Sequence, residues 1–164
     1  MVYPDATYTG SWKQGHWEGR GHLVLRGSDI NDSYIGTFCN SLKHGSGVYT
    51  WADGRTYAGM YWHDQRHGDG TYCWKHQDGS TSKYEGAFES NQRHGYGIFT
   101  SPNISYQGEW KDGQYHGQGV YQHDGITYTG VFQKGLPHGR GTEVLPDGSI
   151  RHDGIWHLGK PVTV

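Results

Sequence analysis

The amino-acid sequence predicts an all-β fold, an open single-layer antiparallel ribbon of about seven tandem β-hairpins with no helices. Three observations carry this reading: a motif repeated at intervals of 20 to 30 residues, a period of two within each half of the repeat, and turn-forming residues at constant offsets from the motif. The motif is Tyr-x-Gly-x-aromatic. It occurs at Tyr8/Gly10/Trp12, Tyr34/Gly36/Phe38, Tyr57/Gly59/Tyr61, Tyr84/Gly86/Phe88, Tyr106/Gly108/Trp110 and Tyr128/Gly130/Phe132, with His152/Gly154/Trp156 as a seventh copy. Nine residues after each of the first six motif glycines stands the first Gly of a Gly-x-Gly, at Gly19, Gly45, Gly68, Gly95, Gly117 and Gly139. The distance from there to the next Tyr varies, as expected when a rigid hairpin is joined to the next by a freer connection.

Each half of the unit alternates like a strand. In the first half Tyr, Gly and the second aromatic share one face, and Thr9 with Ser11, or Ala58 with Met60, take the other. In the second half the last Gly of Gly-x-Gly shares its face with Tyr49 and Trp51, with Tyr72 and Trp74, or with Phe99. Rings and glycines therefore collect on one side, where a glycine leaves bare backbone for a ring to cover. The third residue after each second aromatic is Gly15, Ser41, Asp64, Asn91, Gly113, Gly135 or Gly159, mostly types that tolerate a left-handed backbone, so the hairpin turn belongs there. Asp53-Gly54, Asp78-Gly79, Asp124-Gly125 and Asp147-Gly148 supply turns at the other edge. The reading is one domain over 1–164, with repeats at about 8–33, 34–56, 57–83, 84–105, 106–127 and 128–151, and a partial unit at 152–164 that lacks its second strand.

Composition narrows the function classes. Hydrophobic residues make up 32% of the chain, yet 15% are aromatic and 28 residues are Gly, so the core must be built from rings and close backbone contacts. Seven Trp and 13 Tyr argue against disorder. A net charge of −2 without charged blocks gives no field for nucleic acid. Cys39 and Cys73 occupy different places in the repeat, which excludes a CxxC motif and fits half-buried apolar roles in a reducing, cytoplasmic compartment.

Tyr-x-Gly-x-Trp followed by His-Gly-x-Gly, a hydrophobic strand and Asp-Gly resembles the MORN (membrane occupation and recognition nexus) repeat. Trp12, Phe38, Tyr61, Phe88, Trp110 and Phe132 match its second aromatic, and His44-Gly45-Ser46-Gly47 and His67-Gly68-Asp69-Gly70 match its closing motif. The resemblance runs from about Tyr8 to Trp156; Trp17-Glu18-Gly19 departs from the usual His-Gly, and His152 replaces Tyr. It implies a trough-like sheet that binds partners, in proteins of junctional membranes, cilia and flagella, parasite cytoskeletons and phosphoinositide kinases. It does not imply one molecular activity.

The sharper chemical readings each meet an obstacle. His44, His67, His94, His116 and His138 hold one repeat position, but a position used once per hairpin recurs every ~10 Å, while ligands of one zinc ion lie ~2.0 Å from it. A structural role, an imidazole nitrogen bonded to turn backbone, is expected instead, with no metal and no cofactor. GxSxG, GxxxxGK[ST] and HExxH are absent, and a one-layer sheet offers no deep pocket for a catalytic constellation, so no enzyme is expected. Lys13, Lys43, Arg66, Arg93, Lys111 and Lys134 could form a basic rim for anionic lipid, but Glu18, Asp64, Glu89 and Asp112 in the same segments leave a surplus of two positive charges. At ~1 kcal/mol per net base this is marginal adhesion. The uncovered aromatic face is the better candidate: Trp12, Phe38, Tyr49, Trp51, Tyr61, Tyr72, Trp74, Phe88, Phe99, Trp110, Tyr121 and Phe132 are expected to line a groove for a helical or extended protein or peptide segment. The uncapped ends of the ribbon predict homodimers or end-to-end assembly.

Overall fold

In the computed structural model, which describes residues 5–26 and 31–163, the period-two segments are fourteen strands. They are β1 (Ala6–Lys13), β2 (His16–Leu25), β3 (Asp32–Cys39), β4 (Leu42–Thr50), β5 (Thr56–Trp62), β6 (Gln65–Lys75), β7 (Thr81–Glu89), β8 (Gln92–Thr100), β9 (Ile104–Lys111), β10 (Gln114–His123), β11 (Ile126–Gln133), β12 (Leu136–Val144), β13 (Ile150–His157) and β14 (Lys160–Pro161). All belong to one antiparallel sheet in which spatial order equals chain order, and no described residue is helical. The link from the first repeat to the second runs through residues 27–30, outside the described residues, as does the start of the domain at residues 1–4. The second strand of the last repeat, expected to be missing, is present as a stub: Pro161 and Lys160 pair with Trp156 and His157.

Each hairpin closes through a two-residue turn in which both residues have positive φ. The first, from Gln14 to Leu158, lies at +45° to +51°, and the second, from Gly15 to Gly159, at +64° to +82°. This is the type I′ geometry whose twist matches that of the strands. Glycine is the natural second residue, yet Ser41, Asp64 and Asn91 hold that place in three turns, and tertiary contacts explain why. The backbone N–H of the second turn residue donates to a carbonyl of the preceding hairpin, as Ser41 to Trp17, Asp64 to Lys43 and Asn91 to Arg66, at 2.9–3.0 Å. The side chains return the bond: Ser41 Oγ, Asp64 Oδ1 and Asn91 Oδ1 accept the backbone N–H of Trp17, Lys43 and Arg66 at 3.0, 2.8 and 2.9 Å. Each answered N–H would otherwise need water, so the left-handed strain is offset by about one hydrogen bond. At the other edge Asp53, Asp78 and Asp147 each accept the N–H two residues on, before a Gly at φ +83° to +85°.

One row of residues organises the sheet. Gly10, Gly21, Gly36, Gly47, Gly59, Gly70, Gly86, Gly97, Gly108, Gly119, Gly130, Gly141 and Gly154 face one another in register across β1 to β13. The motif Tyr of each hairpin lies along this stripe, and its hydroxyl donates to the carbonyl three residues on: Tyr34 to Thr37, Tyr57 to Met60, Tyr84 to Ala87, Tyr106 to Glu109 and Tyr128 to Val131, at 2.8–3.1 Å. A Cβ at Gly70 would stand 2.5 Å from the Tyr57 ring, and one at Gly97 2.3 Å from the Tyr84 hydroxyl. The two glycines of Gly-x-Gly thus have separate roles. The second is bare so that the ring can lie on it; the first, at φ +53° to +72°, takes a left-handed conformation that side chains resist.

These roles predict a graded response. Gly70→Ala should cost about 3 kcal/mol, because the ring cannot move without losing its neighbours, whereas Gly54→Ala, strained at φ +85° but facing open space, should cost about 1 kcal/mol. Urea unfolding of the two variants measures the difference, and equal losses would mean that the stripe does not need to be bare.

Candidate functional site

The aromatic face is built in rows parallel to the glycine stripe. Over the stripe, each motif Tyr meets the second aromatic of its own repeat and that of the next, edge to face. Tyr34 contacts Phe38 and Tyr61, Tyr57 contacts Tyr61 and Phe88, Tyr84 contacts Phe88 and Trp110, Tyr106 contacts Trp110 and Phe132, and Tyr128 contacts Phe132 and Trp156, all with centroids 5.0–5.2 Å apart. The result is a continuous zigzag of rings from Trp12 to His152. Edge-to-face pairs contribute ~0.5–1.5 kcal/mol each beyond burial. Trp110 and Trp156 anchor it further by donating their indole N–H to the stripe carbonyls of Gly97 and Gly141 at 3.1 and 3.0 Å.

This ladder changes the standing of the expected groove residues. Phe38, Tyr61, Phe88, Trp110 and Phe132 are only 2–4% exposed. They belong to the core of the sheet, and a partner reaches them only by displacing their neighbours. Trp12, in the first described hairpin, is the exception at 59%. Alternation alone assigns these side chains to the aromatic face but does not reveal that the tyrosines fold down over glycine and close the row. The second row is more open. Leu23, Tyr49, Tyr72, Phe99, Tyr121 and Glu143 stand two residues past the second glycine of each repeat, next to the motif tyrosines in register. Tyr49 is buried and its hydroxyl donates to Asp32 Oδ2 at 2.7 Å. Trp51, Tyr72, Trp74, Phe99 and Tyr121 are half-buried, and Trp74 stacks on Phe99 with centroids 5.9 Å apart.

Sequence reasoning overlooked a third position, five residues after each second aromatic and directly paired with it: Trp17, Lys43, Arg66, Arg93, Tyr115, Pro137 and Pro161. Lys43 Nζ lies 5.4–5.9 Å from the rings of Tyr34, Tyr49 and Tyr61. The Arg66 guanidinium lies 5.3–5.7 Å from Tyr57, Tyr72 and Phe88, and that of Arg93 5.6 Å from Tyr84 and 4.4 Å from Trp110. These three bases therefore do not join Lys13, Lys111 and Lys134 in a basic rim: they sit on aromatic faces as cation–π partners, while Lys13 and Lys111 alternate to the opposite face and Lys134 stands in a turn. The constant spacing was readable in the sequence; that it points at rings was not.

The expected backbone bonds of the repeated histidines are corrected for two of them. The Nδ1 atoms of His44 and His138 are buried without a hydrogen-bond partner. Their rings instead meet the next hairpin, His44 with Trp62 at 4.5 Å and His138 with His157 at 5.3 Å. His94 Nδ1 lies 3.4 Å from Glu89 and 3.8 Å from Asp112. The position faces away from the ring ladder, toward side chains of the following unit.

A scan of family models matches the description "MORN repeat" at residues 8–28, 34–54, 57–75, 84–103, 106–125 and 128–150. The chain belongs to the MORN repeat family. No curated protein matches it in sequence. Six of the seven hairpins of the MORN ribbon fall within the matches, and the seventh, where His152 stands for Tyr, keeps the arrangement: His152 Nε2 lies 3.3 Å from the Ile155 carbonyl, as the tyrosine hydroxyls do in the other units. A recess also lies on the face opposite the rings, a groove of about 850 Å³ along the glycine stripe of the first three repeats, lined by Thr9, His22, Thr37 and the exposed Ile35, Val48 and Met60. Nothing in the aromatic pattern announced it.

Burial of the tyrosines carries a pH dependence. Desolvation pushes the phenols of Tyr57, Tyr84, Tyr115 and Tyr128 up to about 12, and those of Tyr34, Tyr61 and Tyr106 further. A phenol whose pKa is raised in the folded state stabilises the fold fully below its unfolded value of ~10, and that contribution is lost as pH rises above it, because only the unfolded chain then releases the proton. Stability should therefore fall steeply between pH 10 and 12, with these tyrosines ionising together on unfolding in a titration of phenolate absorbance. Gradual ionisation of all 13 tyrosines near pH 10 in a folded chain would contradict the buried ladder.

Proposed function

We propose that this MORN ribbon is a non-catalytic scaffold that holds a protein segment along the open margin of its aromatic face. The observation that carries the reading is the half-buried row of Trp51, Tyr72, Trp74, Phe99 and Tyr121, which no second layer covers among the described residues. Large rings with one face free and the other fixed supply contact area at little entropic cost, the property of binding hot spots. A cleft of about 400 Å³ beside the row, lined by Arg66, Tyr72, Trp74, Asn91, Arg93 and Asp112, adds donors and acceptors that can set the register of a bound chain. The rings of the inner ladder act as the floor and not as contacts.

Adhesion to anionic lipid is the less favoured alternative. Lys43 is paired with Asp64 at 3.3 Å, and Arg66 and Arg93 are seated on rings, so three of the six candidate bases are engaged within the chain. Self-association is compatible with the scaffold reading: among the described residues no strand pairs with the outer edge of β1, and the exposed Trp12 stands on it.

The deciding experiment is affinity capture from the source cells with the intact chain, a Trp74→Ala/Phe99→Ala variant and an Ile35→Asp/Met60→Asp variant, each checked for its folded near-ultraviolet signal, with flotation on phosphatidylserine vesicles in parallel. Loss of a protein partner only in the ring variant is expected. Loss only in the second variant would move the site to the opposite groove, and vesicle binding without a protein partner would replace the reading with the lipid one.

A further inference from the structure

The position five residues after the second aromatic lies against the motif Tyr and the second aromatic of the following hairpin in the first five repeats, and in the second, third and fifth also against the residue two past the second glycine. In the second, third and fourth repeats it is filled by Lys43, Arg66 and Arg93. In the first and fifth it is filled by rings: Trp17 stacks on Tyr8 at 4.7 Å, and Tyr115 on Tyr106 at 3.9 Å. In the sixth the position belongs to Pro137, which places no long side chain there; Tyr128 and Trp156, at 3% and 4% exposed, line the space only with narrow strips of their rings. A cavity of about 400 Å³ opens there, lined by Tyr121, Tyr128, Phe132, Pro137, Glu143 and Trp156 among others, at the small end of the ~300–1,000 Å³ typical of ligand pockets.

The empty position differs from the filled ones in charge as well. Where the other repeats carry Leu23, Tyr49, Tyr72, Phe99 and Tyr121, the sixth carries Glu143, in register between Tyr128 and His152 and only 9% exposed. A carboxylate brought into a ring-lined recess is costly unless a cation meets it. Arg151 reaches Oε2 from the rim, but its own side chain is 55% exposed and it is not seated over the rings. A carboxylate has about four acceptor sites, so one rim contact leaves capacity toward the cavity.

We propose that this cavity is a seat for an arginine side chain supplied by a protein partner. The chain itself shows the chemistry three times: a cation above the ladder rings, contributed internally wherever the repeat provides a long basic side chain. In the sixth repeat the half-buried Tyr121 and the ring edges of the ladder line the cavity, the internal cation is absent and a carboxylate has been added, a combination complementary to a guanidinium, which packs against aromatic rings and pairs with a carboxylate through parallel N–H donors. A bound guanidinium competes with Arg151 for Glu143, so Arg151 acts as an internal competitor. This inference rests on the scaffold reading for its biological setting, but its chemistry is tested without any partner.

The probe is N-acetyl-arginine amide, with its neutral isostere N-acetyl-citrulline amide as control, followed by the chemical shift of the Trp156 indole N–H in the full chain. The arginine derivative should bind with a Kd on the order of millimolar, at least tenfold tighter than the citrulline one. Glu143→Gln should weaken it at least tenfold, while Arg151→Ala should tighten it about threefold. Pro137→Arg should fill the seat from within, abolishing probe binding and raising Tm by about 3 °C, a readout that needs no ligand. Equal binding of the two probes, indifference to Glu143→Gln, or a Pro137→Arg chain that is less stable and still binds would each overturn the proposal. Failure of partner capture with these results intact would remove the scaffold reading and leave the arginine seat standing.

Discussion

Every regular feature of this chain depends on a tyrosine ring lying flat over paired glycines. The ring excludes water from backbone that has no side chains to cover it, its hydroxyl closes onto the carbonyl three residues further along, and its edges meet two other rings, one in its own hairpin and one in the next. A single residue thus performs burial, hydrogen bonding and inter-repeat cohesion. The geometry also explains which spacings are fixed. Tyr and Gly-x-Gly must meet across one hairpin in register, so no residue can be added between them. The connection beyond the second strand is free of that register and varies in length from repeat to repeat.

A sheet built this way is quasi-one-dimensional, since each hairpin touches only its neighbours. Cohesion between units comes from two lines of contact that run the full length of the described ribbon: the ring zigzag over the glycine stripe, and the turn-to-turn hydrogen bonds along one edge. The lines reinforce each other, because the carbonyl that receives a turn N–H belongs to the residue whose side chain covers the ladder. At Lys43 one residue gives its carbonyl and N–H to the next turn, an ion pair to Asp64 and its ammonium to three rings.

Function divides from structure along the same rows. The inner rings are consumed by the fold, and what remains variable is the position above them and the margin beside them. Trp17, Lys43, Arg66, Arg93, Tyr115 and Pro137 occupy one backbone environment with five kinds of side chain, so a uniform scaffold presents a surface whose chemistry changes along the ribbon. A bound chain lying along the ribbon meets aromatic, cationic and open positions in a set order, which is how a repeat protein gains specificity without altering its framework.

The sequence by itself determined the architecture, because periodicity is a local property: alternation sets strands, left-handed residue types set turns, and a recurring motif sets hairpins that pair in chain order. It also determined membership of the aromatic face for each of the twelve proposed groove residues. Tertiary structure alone decided which of these remain reachable. Phe38, Tyr61, Phe88, Trp110 and Phe132 share a face with Trp51, Trp74 and Phe99, but burial depends on how far a tyrosine tilts and whether a neighbouring hairpin closes over it, and those are distances between residues more than 20 positions apart. The same reason hid the seats of Arg66 and Arg93, each of which takes one ring partner from the following repeat, and the recess of Glu143, which Pro137, across the strand from Phe132, helps to line.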